Sequence, residues 1–275
     1  MSFLWGRSRA APPSTAKPPR SAGGRSLALV SWDAASGKFE VGEEALEALR
    51  SVPGPVGVVA VCGRARQGKS YILNQLLGRG GGFAVDSTHR PCTKGLWIWS
   101  SPLERRDEQG NPYSVVLLDT EGIDAYDQTG QYSTQIFSLA LLLSSVFVYN
   151  QMGGIDEAAL DRLSLVTRMS EHIRVRSEKD GVLDAGSPSS KRSRGETSAG
   201  LRELSEFSPA FIWLLRDFYL RLEEDGRPVS PAGYLEIALE PVPGAGASAA
   251  AKNEVRRAIT ALFPDRDCVA LVRPV

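Results

Sequence analysis

The chain has 275 residues, of which 42% are hydrophobic, and its 32 Lys and Arg are matched by 32 Asp and Glu. Such a composition supplies an ordinary buried core for one large domain, and the cancelled charge excludes a general pull toward nucleic acid or an anionic membrane. Three scattered cysteines, Cys62, Cys92 and Cys268, exclude a disulfide framework and a zinc site and point to a reducing, cytoplasmic setting.

Residues 1–24 carry Pro12, Pro13, Pro18 and Pro19 with Arg7, Arg9, Lys17 and Arg20 and no acid. Too little apolar surface is present to offset the entropy of ordering, so a disordered basic tail is expected, and the start lacks the long apolar core of a secretory leader. Leu27 to Trp32 reads as a short strand. Glu43 to Arg50 places Ala45, Leu46 and Leu49 on one helical face, and Pro53 and Pro55 stop it.

Val56 to Val61 is a β-branched run that reads as a buried parallel strand. It breaks into Gly63, Arg64, Ala65, Arg66, Gln67, Gly68, Lys69 and Ser70, the phosphate-loop pattern G-x-x-x-x-G-K-S/T, and Tyr71, Ile72, Leu73, Leu76 and Leu77 follow at helical spacing. Glycines let successive N–H groups turn inward as an anion nest at the positive end of the helix. Lys69 is expected on the β- and γ-phosphates and the Ser70 hydroxyl on Mg²⁺. The chain is therefore read as binding a nucleoside triphosphate.

After a glycine-rich turn, Gly78 to Gly82, a loop runs through Arg90-Pro91-Cys92-Thr93-Lys94-Gly95 to a strand at Leu96 to Ser100. Tyr113 to Leu118 is a further strand, ending in Asp119-Thr120-Glu121-Gly122. Ligands of doubly wound sheets sit at the carboxyl ends of parallel strands, so this tetrapeptide should face the phosphate loop, with Asp119 holding Mg²⁺ through water. Gly122 adds an N–H donor where a γ-phosphate would be sensed. Phe137 to Tyr149, the longest apolar run, is broken by serines and falls short of the roughly 20 residues that span a bilayer. It reads as a buried helix feeding a strand, and no transmembrane segment is predicted.

Asp156 to Arg174 has the spacing of an amphipathic helix. Residues 177–204 are rich in Ser, Gly, Lys and Arg and read as a flexible excursion, whose Lys191, Arg192 and Arg194 form a solvated basic loop or, alternatively, a nuclear address. Phe207 to Leu215 is a buried strand ending in Arg216-Asp217, and Leu220 to Gly226 is turn-forming. Helices at Pro231 to Leu239 and Lys252 to Phe263 flank a loose loop, Pro241 to Ala250, and Cys268 to Val272 is a last strand. The predicted fold class is α/β, a P-loop nucleotide-binding domain whose predominantly parallel sheet has helices on both faces.

Guanine recognition needs a carboxylate acceptor, usually from an N-K-x-D run, which this sequence lacks; Asp217 is the best substitute. On the residues alone an ATPase of another P-loop class stays open. The segments GRARQGKSYILNQLLG, TKGLWIWS, DTEGI, WLLRDF and CVALVRPV, in that order, together resemble the large GTPase domain of the guanylate-binding proteins, a branch of the dynamin-like GTPases, from about Leu27 to Val275.

The resemblance implies a nucleotide site built from Gly63 to Tyr71 with Thr93, Asp119, Glu121, Gly122, Arg216 and Asp217, the last two selecting guanine. It implies Thr93 beside Ser70 on Mg²⁺, Arg66 as an internal arginine finger, Lys69, Thr93 and Glu121 as its catalytic companions, and a guanine cap at about residues 240–256. GTP and GDP are the implied ligands and a homodimer of GTP-bound domains the implied partner. Pro91 departs from the pattern, because many animal members carry a water-orienting serine there. Two readings follow: a GTP hydrolase, or a GTP-switched assembly module with slow turnover.

Overall fold

Period-two alternation along four parallel strands sorts the core into two layers. A computed structural model of the chain describes residues 23–33, 35–78, 81–85, 94–123, 130–163, 208–244 and 246–272. Its strands are β1 (Ser26–Asp33), β2 (Lys38–Val41), β3 (Val56–Gly63), β4 (Leu96–Trp99), β5 (Leu103–Arg106), β6 (Pro112–Thr120), β7 (Val146–Met152), β8 (Ala210–Phe218), β9 (Glu223–Glu224), β10 (Arg227–Pro228) and β11 (Arg266–Val272). The helices are α1 (Glu43–Arg50), α2 (Lys69–Leu76), α3 (Gly130–Leu143), α4 (Glu157–Arg162), α5 (Pro231–Leu239) and α6 (Ala247–Leu262).

Nine strands form one sheet in the order β11-β8-β7-β3-β6-β4-β1-β2, with β5 also on β6. From β11 to β6 the pairing is parallel, as the continuous apolar runs predict; β4, β1, β2 and β5 join antiparallel. Ala60, Cys62, Val116, Leu118, Phe147, Tyr149, Phe211, Trp213 and Leu215 face one layer, packed by α1, α3, α4, α5 and α6. The intervening Val61, Leu117, Val148 and Leu214 face the other, which α2 covers with Leu73 and Leu77.

The larger layer is tied together by aromatic contacts. Phe147 lies 5.2 Å from Phe137 in an edge arrangement and 6.4 Å from Phe211, which sits 4.4 Å from Phe263 beneath α6. Arg256 of α6, almost wholly buried, pairs with Glu157 at the first turn of α4, and Lys252 adds a second cation at 3.5 Å.

Four features differ from the sequence expectation. Two strands of the main sheet were not predicted, β2 and β5, and each is closed onto its neighbour by a local aspartate turn. The Asp33 carboxylate accepts the N–H groups of Ala35 and Ser36, with Gly37 at φ 66°, and Asp107 accepts from the backbone and side chain of Asn111, with Gly110 at φ 87°. In the stretch read as turn-forming, Asp225 and Gly226 both have positive φ and close the β9–β10 hairpin. Helix α6 starts at Ala247, five residues before the expected Lys252, because four alanines stand in its first turns and alanine is the strongest helix former. Strand β8 starts at Ala210 and runs on through Arg216 and Asp217. The predicted tail over residues 1–24, the excursion over 177–204 and the later turns of the helix at Asp156 lie wholly or mainly outside the described residues.

Because Phe147 is fully buried in the ring cluster, Phe147→Ala should lower the free energy of unfolding by about 3–5 kcal/mol. Urea titration followed by far-UV circular dichroism measures it.

Candidate functional site

The site forms where β3 leaves the sheet between β6 and β7. Register aligns Val61 with Asp119 on one side and Gly63 with Asn150 on the other, so the loop from Gly63 to Ser70 emerges between two strand ends. Gly63, at φ 142°, must be glycine, since a Cβ there would lie 2.2 Å from the Asn150 carbonyl oxygen. Gly68, at φ 72°, caps α2, and among the loop's other residues Arg66 has a left-handed backbone, φ 67°. A non-glycine residue held in that region is a strained feature of the kind that collects at ligand sites.

Lys69 is buried, and its Nζ donates to the Arg64 carbonyl at 3.3 Å, which holds the ammonium across the loop. The Ser70 hydroxyl donates to Asp119 Oδ2 at 2.6 Å; Asp119 is itself buried at the end of β6. Thr120 points the other way and donates its hydroxyl to the Val61 carbonyl at 2.9 Å, locking the two strand ends together. Cys62, at the root of the loop, is a packing residue: burial pushes its thiol up from the ordinary value.

After β6 the chain continues alongside the loop. Ala65 donates its N–H to the Ile123 carbonyl at 3.0 Å and Ile123 donates to Gly63 at 3.1 Å, a short parallel extension of the sheet. Gly122 permits it, since a Cβ at that position would meet Ala65 Cα at 2.2 Å. Glu121 turns toward the antiparallel half. Its Oε2 accepts from the Gly95 N–H at 2.8 Å and from the Tyr132 hydroxyl at 2.5 Å, while its own N–H donates to the Gly95 carbonyl at 2.9 Å. Tyr132, on the first turn of α3, stacks on Phe39 of β2 at 5.6 Å, and Trp32 of β1 meets both rings edge-on.

At the far side, β8 delivers Arg216 and Asp217. A register shift against β11 inserts one extra residue in β8 between Leu215 and Phe218, and Asp217 lies in that bulge with φ 50°. Bulges of this kind re-aim a side chain at a strand end. Arg216 reaches back to the loop, donating to the Gln67 carbonyl at 2.8 Å, with its guanidinium 5.7 Å from the Tyr71 ring centroid. Asn150 Nδ2 donates to the same carbonyl at 2.8 Å.

Of the residues singled out in the sequence, Gly63 to Tyr71, Asp119, Gly122, Arg216 and Asp217 are thus brought to one edge of the sheet, and Glu121 bridges that edge to Gly95. Thr93 and Pro91 lie outside the described residues. Asn150 and Tyr132 were not foreseen. Asn150 had one available signal, a polar residue ending the apolar run of β7 at the edge where ligands bind.

A glycine loop between a parallel strand and a helix, with a carboxylate from the adjacent strand on the loop hydroxyl, defines the class as a P-loop nucleotide-binding domain. The sequence profile of the family "Guanylate-binding protein, N-terminal domain" matches residues 36–275. The chain belongs to that family. It is 39% identical over 239 residues to guanylate-binding protein 2 of Homo sapiens, covering 86% of this chain and 37% of that protein. Guanylate-binding protein 2 of Rattus norvegicus is 40% identical over 237 residues, 85% of this chain and 37% of its own length. Guanylate-binding protein 1 of Homo sapiens is 38% identical over 241 residues, 87% and 38%. The chain spans rather more than a third of the length of these curated relatives.

Gly122→Ala should force Ile123 away from the loop. Amide exchange at Ala65 and Ile123 should then rise by at least about tenfold, with about 1–3 kcal/mol lost from global stability; hydrogen-exchange mass spectrometry and thermal melts read the two effects.

Proposed function

We propose that this chain binds GTP and GDP, hydrolyses GTP with Mg²⁺, and associates with a second copy through this domain when GTP is bound. The observation that carries the reading is the 2.6 Å bond between Ser70 Oγ and Asp119 Oδ2 at the mouth of a glycine loop, in a chain of this family. Those two oxygens are hard donors of the type Mg²⁺ prefers, so the residues fit the ion, with Thr93 a further oxygen donor in the sequence. When bound, the ion neutralises charge on the β- and γ-phosphate oxygens.

The chain's own groups divide the work. The amides from Arg66 to Ser70 and the Lys69 ammonium hold the phosphates, the Ala65 N–H being bound to Ile123. Arg66, exposed on the loop, adds positive charge near the bridging oxygen in this reading, which counts for more in the transition state than in the ground state. Glu121 orders the water, and its tie to Gly95 links the strand end of β6 to the residues that follow Thr93. Asp217, carried on the bulge, supplies the acceptor for the guanine N1–H and exocyclic amine.

A second reading, GTP-switched assembly with slow turnover, is favoured by Pro91, which offers neither hydroxyl nor N–H for a water. Turnover measured against protein concentration separates the two. For the hydrolase, Arg66→Ala should leave GTP affinity nearly intact and slow single turnover by about 10²-fold or more. A variant that binds weakly but turns over normally at saturation would make Arg66 a phosphate anchor.

Asp217→Asn should weaken GTP binding by about 10²-fold, since two donors of the base lose a charged acceptor, and should weaken XTP binding less because the amide can donate to the xanthine oxygen. Equilibrium titration with both nucleotides checks it. Unchanged GTP affinity would remove Asp217 from the base pocket.

A further inference from the structure

Two side chains from different strands grip one carbonyl of the phosphate loop. Asn150, fully buried at the end of β7, and Arg216, half-buried at the end of β8, each donate to the Gln67 carbonyl oxygen at 2.8 Å. The guanidinium closes on Gly68 through one nitrogen: a Cβ on that glycine would sit 2.6 Å from its Nη1 and 3.6 Å from its Cζ. Its other neighbour is the Tyr71 ring. Arg216 is therefore wedged between the first residues of α2 and the loop that precedes them.

The peptide that joins Gln67 to Gly68 is planar and trans, so its C=O and N–H point in opposite directions. Fixing the carbonyl toward β7 and β8 fixes the Gly68 N–H toward the interior of the loop, where an anion nest needs its donors. Gly68 is the residue of the loop most able to rotate this peptide, because its left-handed backbone, φ 72°, is one of several that glycine adopts at little cost. Without external donors on the Gln67 oxygen the peptide would be free to flip and turn a carbonyl toward the phosphates.

The Asn150 side chain bears a cost for this position. Its Oδ1 is buried and has no hydrogen-bond partner among the described residues. A buried unsatisfied acceptor opposes folding, so what the side chain contributes here is the hold of its amide on the Gln67 carbonyl.

We propose that Asn150 and Arg216 form a clamp that orients the Gly68 amide toward the phosphates, making both loop-positioning residues and leaving base discrimination to Asp217. The proposal rests on the reading of the loop as a triphosphate cradle, and it departs from the expectation that Arg216 selects guanine.

The test compares Asn150→Ala and Arg216→Ala with the unmodified chain, titrating GTP, ITP and inorganic tripolyphosphate and following hydrogen exchange of the 63–70 segment without ligand. ITP lacks the exocyclic amine and tripolyphosphate lacks any base. Both variants should weaken all three ligands by a similar factor, about tenfold, keep the GTP-to-ITP ratio of the parent, and exchange faster across the loop. Exchange and tripolyphosphate affinity unchanged in Asn150→Ala would overturn the clamp. An altered GTP-to-ITP ratio in Arg216→Ala with unchanged tripolyphosphate affinity would overturn it too, making Arg216 a reader of the base. If the parent binds tripolyphosphate and prefers ATP to GTP, the GTP reading falls while a uniform loss in the two variants still upholds the clamp.

Discussion

Parallel pairing of β3 between β6 and β7 is the constraint on which the site depends. Parallel strands end at the same edge, and the register aligns Val61 with Asp119 and Gly63 with Asn150. Whatever leaves β3 is flanked at once by a carboxylate and an amide. Thr120 ties β6 to β3 beneath the loop, and Ala65 and Ile123 extend the ladder one step past the sheet. The loop is thereby fixed by hydrogen bonds that end on three neighbouring segments, the stretch after β6, β7 and β8.

The two faces of the sheet contribute differently to this. The layer under α3, α5 and α6 is large, aromatic and closed, whereas the layer under α2 is smaller, with Leu73 and Leu77 meeting Val61, Leu117, Val148 and Leu214. Helix α2 thus has its apolar side anchored on the central strands while its first turn stays at the loop. The helix that carries Lys69 and Ser70 is braced where it must not move.

How much of this was legible in the sequence follows from whether a feature is local. The central strands were readable because Val56 to Val61 and Tyr113 to Leu118 are β-branched runs with no polar face, as parallel strands buried on both sides must be. The phosphate loop was readable because its chemistry lies in eight consecutive residues. Strands β2 and β5 are only four residues long and mostly exposed; β2 alternates over too short a run to stand out and β5 does not alternate, and beside each an aspartate is followed within a few residues by a glycine in a turn. The early start of α6 was hidden by Gly244 and Gly246, which outweighed the alanines in the reading of the loop. Asn150 meets Gln67 across 83 residues, and only the β3–β7 register makes them neighbours. Arg216 was found, but a strand end names a residue without saying which atom it will reach.

Glu121 couples the antiparallel half of the sheet to all this. Its carboxylate is held by the hydroxyl of Tyr132, whose ring lies on Phe39 with Trp32 against both. The β1–β2 hairpin carries none of the nucleotide motifs and presents Trp32 at the surface, 41% exposed. It nevertheless stands in mechanical series with the acid at the centre of the site, through two rings and one O–H. A displacement of the outer face of the hairpin would therefore bear on rings that touch the partner of the carboxylate facing Gly95, at the opposite edge of the sheet from Arg216 and Asp217.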